Sequence, residues 1–431
     1  MVNMEESQCV LHTDTYRHII PSAGTANLPG FHTCVGGGGE CQGPEWYASH
    51  GIDLLLNTTV QSADVAGKSL TTSEGVIKYG TLIIATGAST INLKDFGTPN
   101  ADAKNIFYLR EIDEANQLRE IFAAKPGGKA VIVGGGYIGM ELAAVVAKNA
   151  IHATMVYPEP YCSKGGRPQQ YTGVPYRAPH HPPSPSLRSP AVPRLFTPEI
   201  ASFYEQFYSD KGVAIVKGTT VSGFGTDSSG AVNTANLKDG RVLPADFVIV
   251  GVGARPNTAL FKDQVEMAKG GFKTDSSFHT SVDSVYAVGD VATFPLPAYG
   301  DERRVEHVGH ARQSVQQAVR AIRAGEAGTT TTPPPYDYLP FFYSRCFDLS
   351  WQFYGDNVGE AVTFGREPDS PAVSGAKFGG YWGKGGKIVG AFLAGGSGDE
   401  NKAIAALAKA QPAAPSLEVL KKEGLGVALA V

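Results

Sequence analysis

Cysteine is scarce. The chain has five in 431 residues (Cys9, Cys34, Cys41, Cys162 and Cys346), with no C-x-x-C, no C-x4-C and no zinc-like spacing. That excludes a disulfide framework, a thiolate metal site and a redox-active pair, and leaves reduced structural thiols. An excess of positive charge is also missing. A net charge of −4 with evenly mixed signs gives no stripe for nucleic acid and no patch for anionic lipid. No run approaches the roughly 20 apolar residues of a spanning helix, and the opening MVNMEESQCV lacks the charged-then-apolar plan of a secretory leader. His180, His181, His307 and His310 have no partner ligands at useful spacing, so no metal is expected. The expectation is a small-molecule partner, with no nucleic acid, no membrane and no metal. With no Arg- and Ser-rich transit peptide and no terminal S-K-L, the expected location is cytoplasmic.

What is present has α/β texture. The pattern predicts a short helix end at Trp46–His50, an apolar buried strand at Ile52–Leu56, a strand pair around Lys68–Lys78, and a strand covered on both faces at Tyr79–Thr86. A helix is predicted over Glu111–Ala124, a buried strand over Lys129–Gly134, a helix over Gly139–Lys148 and a strand over His152–Tyr157. Residues 163–193 then lose all apolar periodicity and fill with proline, which reads as a disordered surface insertion. Order resumes with a helix at Pro198–Lys211 and strands near Val213–Val216 and Phe247–Val250. The tract Gly328–Pro335 reads as a linker. Behind it, alternating aromatic and polar residues predict an antiparallel sheet and then a helix at Asn401–Ala410.

The strongest motif is Gly134-Gly135-Gly136-Tyr137-Ile138-Gly139, a G-x-G-x-x-G between a predicted strand and a predicted helix. The first glycine permits a tight turn, the second admits a pyrophosphate to the backbone, and the third lets helix and strand pack closely. Glu159 stands roughly 20 residues on, where a carboxylate accepts from a ribose 2′-hydroxyl and repels a 2′-phosphate, favouring NADH over NADPH. A second signal is the apolar stretch ending in Gly289-Asp290, whose aspartate can hold a ribityl hydroxyl of FAD. Ile83–Ala88 and Gly251–Pro256 supply the crossovers between two nucleotide-binding domains. The set points to a two-dinucleotide flavoprotein of α/β class, with two Rossmann-like domains and a C-terminal α+β domain built on an antiparallel sheet.

The segments LPGFHTCVGGGGE, KNIFYLREIDEANQL, VGGGYIGMELAAV, MVYPEPYC, PRLFTPEIASFYEQFY, YAVGDVATFPL, RRVEHVGHARQS and YDYLPFFYSRCFDLSWQFYGDNVGE resemble plant monodehydroascorbate reductases, in that family's order, over roughly residues 28–162 and 193–431. The resemblance implies an antioxidant flavoenzyme that recycles ascorbate: NADH reduces FAD, and two monodehydroascorbate radicals are then reduced singly. By the same resemblance the NAD set is Gly134, Gly135, Gly136, Tyr137, Ile138, Gly139, Glu141, Glu159, Arg194, Gly253, Glu306 and His307. The FAD set is Val60, Arg110, Glu111, Asp290, Val308 and Tyr343, and substrate meets Arg312 and Arg345. Two guanidinium forks suit an oxygen-rich anion. Tyr343, the candidate catalytic residue, lies two positions before Arg345, so on a strand both share one face. Trp351 and the aromatics around it are expected to be packing.

The implied domains are an unassigned segment 1–27, a first part of the FAD-binding domain at 28–115, an NAD-binding domain at 116–252 carrying the insertion 163–193, a second part of the FAD domain with the linker at 253–333, and a C-terminal domain at 334–431. The family opens with a strand, a first G-x-G-x-x-G and a second strand ending in an acid, none of which is legible in residues 1–27. The FAD domain is therefore expected to be incomplete at its N-terminus, with weakened flavin binding. Two other readings stand beside this one: an NADH-dependent ferredoxin- or rubredoxin-type reductase, and a non-catalytic NAD-binding remnant without flavin.

Overall fold

The computed structural model describes residues 34–35, 41–42, 44–162, 195–328, 333–367 and 370–431. The chain divides into two compact units, one of Met1–Thr90, Arg110–Asn116 and Ala254–Tyr338, the other of Ile91–Leu109, Gln117–Gly253 and Leu339–Val431.

The second unit holds a five-stranded, all-parallel sheet in the order Ala214–Lys217, His152–Tyr157, Lys129–Val133, Phe247–Val250, Ile106–Phe107. Its central strands read AVIV and FVIV, and those residues are all buried, as a sheet covered on both faces requires. The helix Tyr137–Lys148 follows the central strand and buries every residue from Gly139 to Val146. A second helix, Pro198–Asp210, starts at the cap Thr197, whose side chain accepts from the Ile200 N–H, with proline in the first turn. Its apolar face buries Phe203, Tyr204, Phe207 and Tyr208.

The same unit carries an antiparallel sheet of five strands in the order Phe341–Cys346, Leu349–Gly355, Lys387–Ala394, Phe378–Lys384, Glu360–Phe364. The strand Leu349–Gly355 alternates between buried and half-buried residues, the period of two that the sequence shows. Trp351 is packing: it is buried and meets Phe196 and Phe392 at ring distances of 5.5 and 5.7 Å. The helix Gly398–Ala410 begins in a reciprocal cap between Ser397 and Glu400.

The first unit is built of shorter pieces. A meander of Val60–Asp64, Ser69–Thr72 and Gly75–Lys78 accompanies a four-stranded sheet of Met267–Ala268, Gly271–Lys273, Ala292–Leu296 and Asp301–Arg303. Leu82–Ile84 pairs in parallel with Val285–Ala287, and Ala88–Thr90 pairs antiparallel with Ala254–Pro256. Phe261, Phe272, Phe278 and Phe294 fill the core beside the helix Val308–Glu326.

Two expectations fail here. Ile52–Leu56 forms no strand: only Leu55 makes a single bridge, and it is 38% exposed. Tyr79–Thr86 yields only Leu82–Ile84, paired on one side with Leu82 and Ile83 half-buried, rather than a strand covered on both faces. Within Tyr79–Thr86 only Ile84 is buried, so the expected cover on both faces is not reached among the described residues, and Ile52–Leu56 has no strand partner among them beyond the bridge at Leu55. Residues 1–27, the insertion 163–193 and residues 329–332 of the predicted linker lie outside the described residues.

Candidate functional site

In the second unit the glycine turn leaves the strand Lys129–Val133 and enters the helix Tyr137–Lys148. Gly134 has φ +125°, and a Cβ there would sit 2.2 Å from the Gly251 carbonyl. A Cβ on Gly139 would sit 2.2 Å from the Gly134 carbonyl, so the helix rests directly on the turn. Gly136 differs. It is exposed, a Cβ there would meet nothing within 4 Å, and it is the helix N-cap without a side-chain capping bond. Open space facing the helix's N-terminal N–H groups is what a pyrophosphate needs, so these residues fit a dinucleotide. Tyr137 and Ile138 are half-buried in the first turn of that helix. Gly253 holds φ +109°, and its carbonyl accepts from the Ile91 N–H at 3.0 Å.

Sequence reading missed Glu205. Its carboxylate accepts from the Tyr157 hydroxyl at 3.0 Å, from the Cys162 N–H at 2.7 Å and from Lys217 Nζ at 2.6 Å. This fixes both ends of the segment carrying Glu159, which is half-buried just past the strand His152–Tyr157. Tyr157 also packs under the turn, where a Cβ on Gly135 would lie 2.6 Å from its ring. Burial pushes the Tyr157 phenol's pKa up, reinforced by Cys162 and Glu205. No local signal marks Glu205, because it acts from another helix 48 residues away from Tyr157. Arg194 lies outside the described residues.

Glu141 is 6% exposed, and its Oε1 accepts from the Ser344 hydroxyl at 2.5 Å. Tyr343 and Arg345 flank Ser344 on the strand Phe341–Cys346; Arg345 is exposed and Tyr343 stacks on Phe341 at 5.1 Å. Cys162 and Cys346 are buried and free: Cys346 is pushed up to about 12, chiefly by burial, and burial drives Cys162 well up too.

In the first unit Gly289–Val291 forms a 3-10 turn after the strand Val285–Ala287, and Gly289 takes φ +68°. The Gly289 N–H donates to Ser314 Oγ at 3.0 Å. Asp290 accepts from Arg110 Nη2 at 2.7 Å, while the Arg110 and Glu111 N–H groups donate to Glu114 Oε2 at 2.5 and 2.9 Å. Arg304 is a second residue that sequence reading passed over. Its side chain is 7% exposed, and Nη1 donates to the Asp290 carbonyl at 3.1 Å and to Glu306 Oε1.

His307 caps the helix Val308–Glu326, its Nδ1 accepting from the Gly309 N–H at 3.2 Å. Val308 is half-buried at the first helical position, Arg312 is exposed one turn on, and Val60 is half-buried at the start of its strand. His310 is fully buried, stacked on Phe294 at 4.6 Å with Nδ1 3.0 Å from the Tyr336 hydroxyl, and burial lowers its pKa to about 3. Arg110 Nε and Arg304 Nε are buried without a hydrogen-bond partner. Asp290, Arg110 and the N-terminus of a 19-residue helix thus fit the ribityl end of FAD. Among the described residues of this unit no second glycine turn leads into a helix, so the counterpart for the adenosine end is not among them. Among the described residues no group of three or more His, Cys, Asp or Glu is placed to hold a metal ion, and no helix is long and apolar enough to cross a membrane.

Comparison with known proteins matches residues 4–169 and 187–325 to the pyridine nucleotide-disulphide oxidoreductase family model. Residues 339–428 match the "Monodehydroascorbate reductase 3-like, C-terminal domain" model. The break in the first match falls inside the segment read as an insertion. Among curated relatives, a monodehydroascorbate reductase of Solanum lycopersicum is 57% identical over 94% of this chain and 86% of its own length. One of Pisum sativum is 55% identical over 94% and 86%, and monodehydroascorbate reductase 2 of Arabidopsis thaliana is 56% identical over 94% and 85%. Among solved structures, a putidaredoxin reductase in complex with putidaredoxin superposes with TM-score 0.73 at 23% identity, over 90% of this chain and 83% of that one. A ferredoxin reductase from Rhodopseudomonas palustris gives 0.70 at 26%, over 90% and 84%.

Proposed function

Because the chain belongs to the monodehydroascorbate reductases of the pyridine nucleotide-disulphide oxidoreductase family, we propose that it uses one NADH and one proton to reduce two monodehydroascorbate radicals to two ascorbate anions. The observation that carries this reading is the match of residues 339–428 to a monodehydroascorbate reductase domain, the domain that presents Tyr343 and the exposed Arg345 from one strand.

Bound FAD would supply the exchange between a two-electron donor and a one-electron acceptor. The chain's own residues do the rest. The turn Gly134–Gly139 and the helix behind it receive the NADH pyrophosphate, and Glu159 accepts from the adenosine ribose and repels a 2′-phosphate. Gly253, Glu306, His307, Tyr137, Ile138 and Arg194 complete the nucleotide set in this reading. Asp290 and Arg110 hold the ribityl chain, supported by Val60, Glu111 and Val308. Arg312 and Arg345 bind the anionic radical through directed, charged hydrogen bonds, and Tyr343 orients it. The division into FAD-binding, NAD-binding and C-terminal domains at the boundaries read from the sequence is part of the same proposal.

Likeness to ferredoxin-reductase structures supports transfer to a protein acceptor as a second reading, but at 23 and 26% identity against 57% for the reductase relative it ranks below the first. A cytosolic place is proposed with it; relatives include a cytosolic form of Oryza sativa and a peroxisomal form of Arabidopsis thaliana. An absorbance spectrum of the purified chain, taken before and after anaerobic NADH, tests the main reading. A flavin band that bleaches, followed by turnover of the radical, supports it; a colourless protein reduces it to a nucleotide-binding remnant.

A further inference from the structure

The strand Phe341–Cys346 has two unlike faces. Ser344 and Cys346 are 2% and 3% exposed, whereas Tyr343 is half-buried and Arg345 exposed. The buried face is pinned to the helix Tyr137–Lys148 at two heights. Ser344 Oγ donates to Glu141 Oε1 at 2.5 Å and lies 3.2 Å from Cys346 Sγ. Two turns further along the helix, Lys148 Nζ donates to the Phe347 carbonyl at 3.1 Å. Tyr208 closes the joint from a third element, its hydroxyl donating to the Met140 carbonyl at 3.0 Å.

A buried carboxylate is costly to desolvate, and a well-packed apolar side chain would usually stabilise a fold as well or better. What such a group does provide is register, since one short hydrogen bond fixes where two elements meet. Slipping the strand by one residue would turn Arg345 to the inner face and Ser344 outward.

We propose that Glu141 is a positioning residue for the substrate half of the reaction: through Ser344 it sets the strand register that aims Arg345 and Tyr343 at the anionic substrate. This rests on the function proposed above for Arg345 and gives Glu141 a role apart from contact with the nucleotide.

Ascorbate itself is the probe, titrated calorimetrically into the purified chain, with NADH–ferricyanide turnover measured in parallel. Ser344→Ala is expected to weaken ascorbate binding and raise the KM for the radical about tenfold, the loss of one hydrogen bond to a charged group, with the KM for NADH and ferricyanide turnover unchanged. Ser344→Thr, which keeps the hydroxyl, should restore both. Glu141→Gln keeps an acceptor for Ser344 and should bind ascorbate like the parent chain. Ser344→Ala with unaltered ascorbate affinity overturns the proposal, as does a Glu141→Leu chain that keeps full ascorbate affinity. Should Ser344→Ala fail to fold, Glu141→Leu in its place must reproduce the ascorbate defect. A parent chain that binds ascorbate in a Ser344-dependent way yet does not turn over the radical would sink the function reading and leave this one standing.

Discussion

Arg304 is the residue whose role is easiest to isolate. A guanidinium 7% exposed and bonded to both the Asp290 carbonyl and Glu306 leaves unsatisfied partners when removed. Glu306 is 31% exposed, so solvent takes up part of the loss, and Arg304→Met is expected to cost about 2 kcal/mol in urea unfolding rather than the full value for a buried pair. Arg304→Lys should recover part of it. In the proposed reading Glu159 sets cofactor choice, and Glu159→Gln should raise the KM for NADH roughly tenfold, the cost of a hydrogen bond to a charged group, while the KM for NADPH falls. An unchanged NADH/NADPH ratio would remove Glu159 from the ribose site. The buried thiols Cys162 and Cys346, both held protonated by burial, should resist iodoacetamide at pH 8 in the folded chain and react only after unfolding, as peptide mapping would show.

Elements were legible where their own residues decide them. The strands His152–Tyr157 and Phe247–Val250 stand where the apolar runs place them, and the helices Ile112–Ala124 and Pro198–Asp210 lie within a residue of expectation. The glycine turn was legible because sterics alone dictate it, and Gly139→Ala, with its Cβ 2.2 Å from a backbone carbonyl, should destabilise by about 1–3 kcal/mol. Ile52–Leu56 misled because apolarity marks a strand's neighbours as much as the strand. Glu205 was invisible because Tyr157 and Cys162 lie 48 and 43 residues away from it, and Arg304 because a bond to Glu306 two residues on and to the Asp290 backbone carbonyl forms no sequence motif. The first turn of the helix Val308–Glu326 carries a pH dependence. His310 has a folded pKa of about 3 against 6.5 unfolded, so below pH 6.5 the unfolded chain binds the proton and the folded one does not. Stability is therefore complete above pH 6.5 and declines as pH falls towards 3, and His310→Phe should flatten that decline in unfolding measured from pH 7 to 4.

At the scale of the whole molecule, the family and both cofactors were legible from ordered motifs, whereas the fit of FAD depends on residues that motifs alone do not place. Retained flavin per chain after gel filtration measures this directly. Glu205 and its helix bear on a different question. Residues 163–194 leave the described fold at Cys162 and return at Leu195, and both flanks are tied to the helix Pro198–Asp210: Cys162 through Glu205 and the Ala201 carbonyl at 3.6 Å, and Phe196 by stacking on Tyr204 at 5.0 Å. With its flanks anchored independently of what runs between them, the junction should tolerate cargo inserted there. A tag or reporter domain spliced between Cys162 and Arg194 on flexible ends, with Arg194 of the proposed nucleotide set kept, adds only about 0.6 kcal/mol of closure entropy per doubling of length.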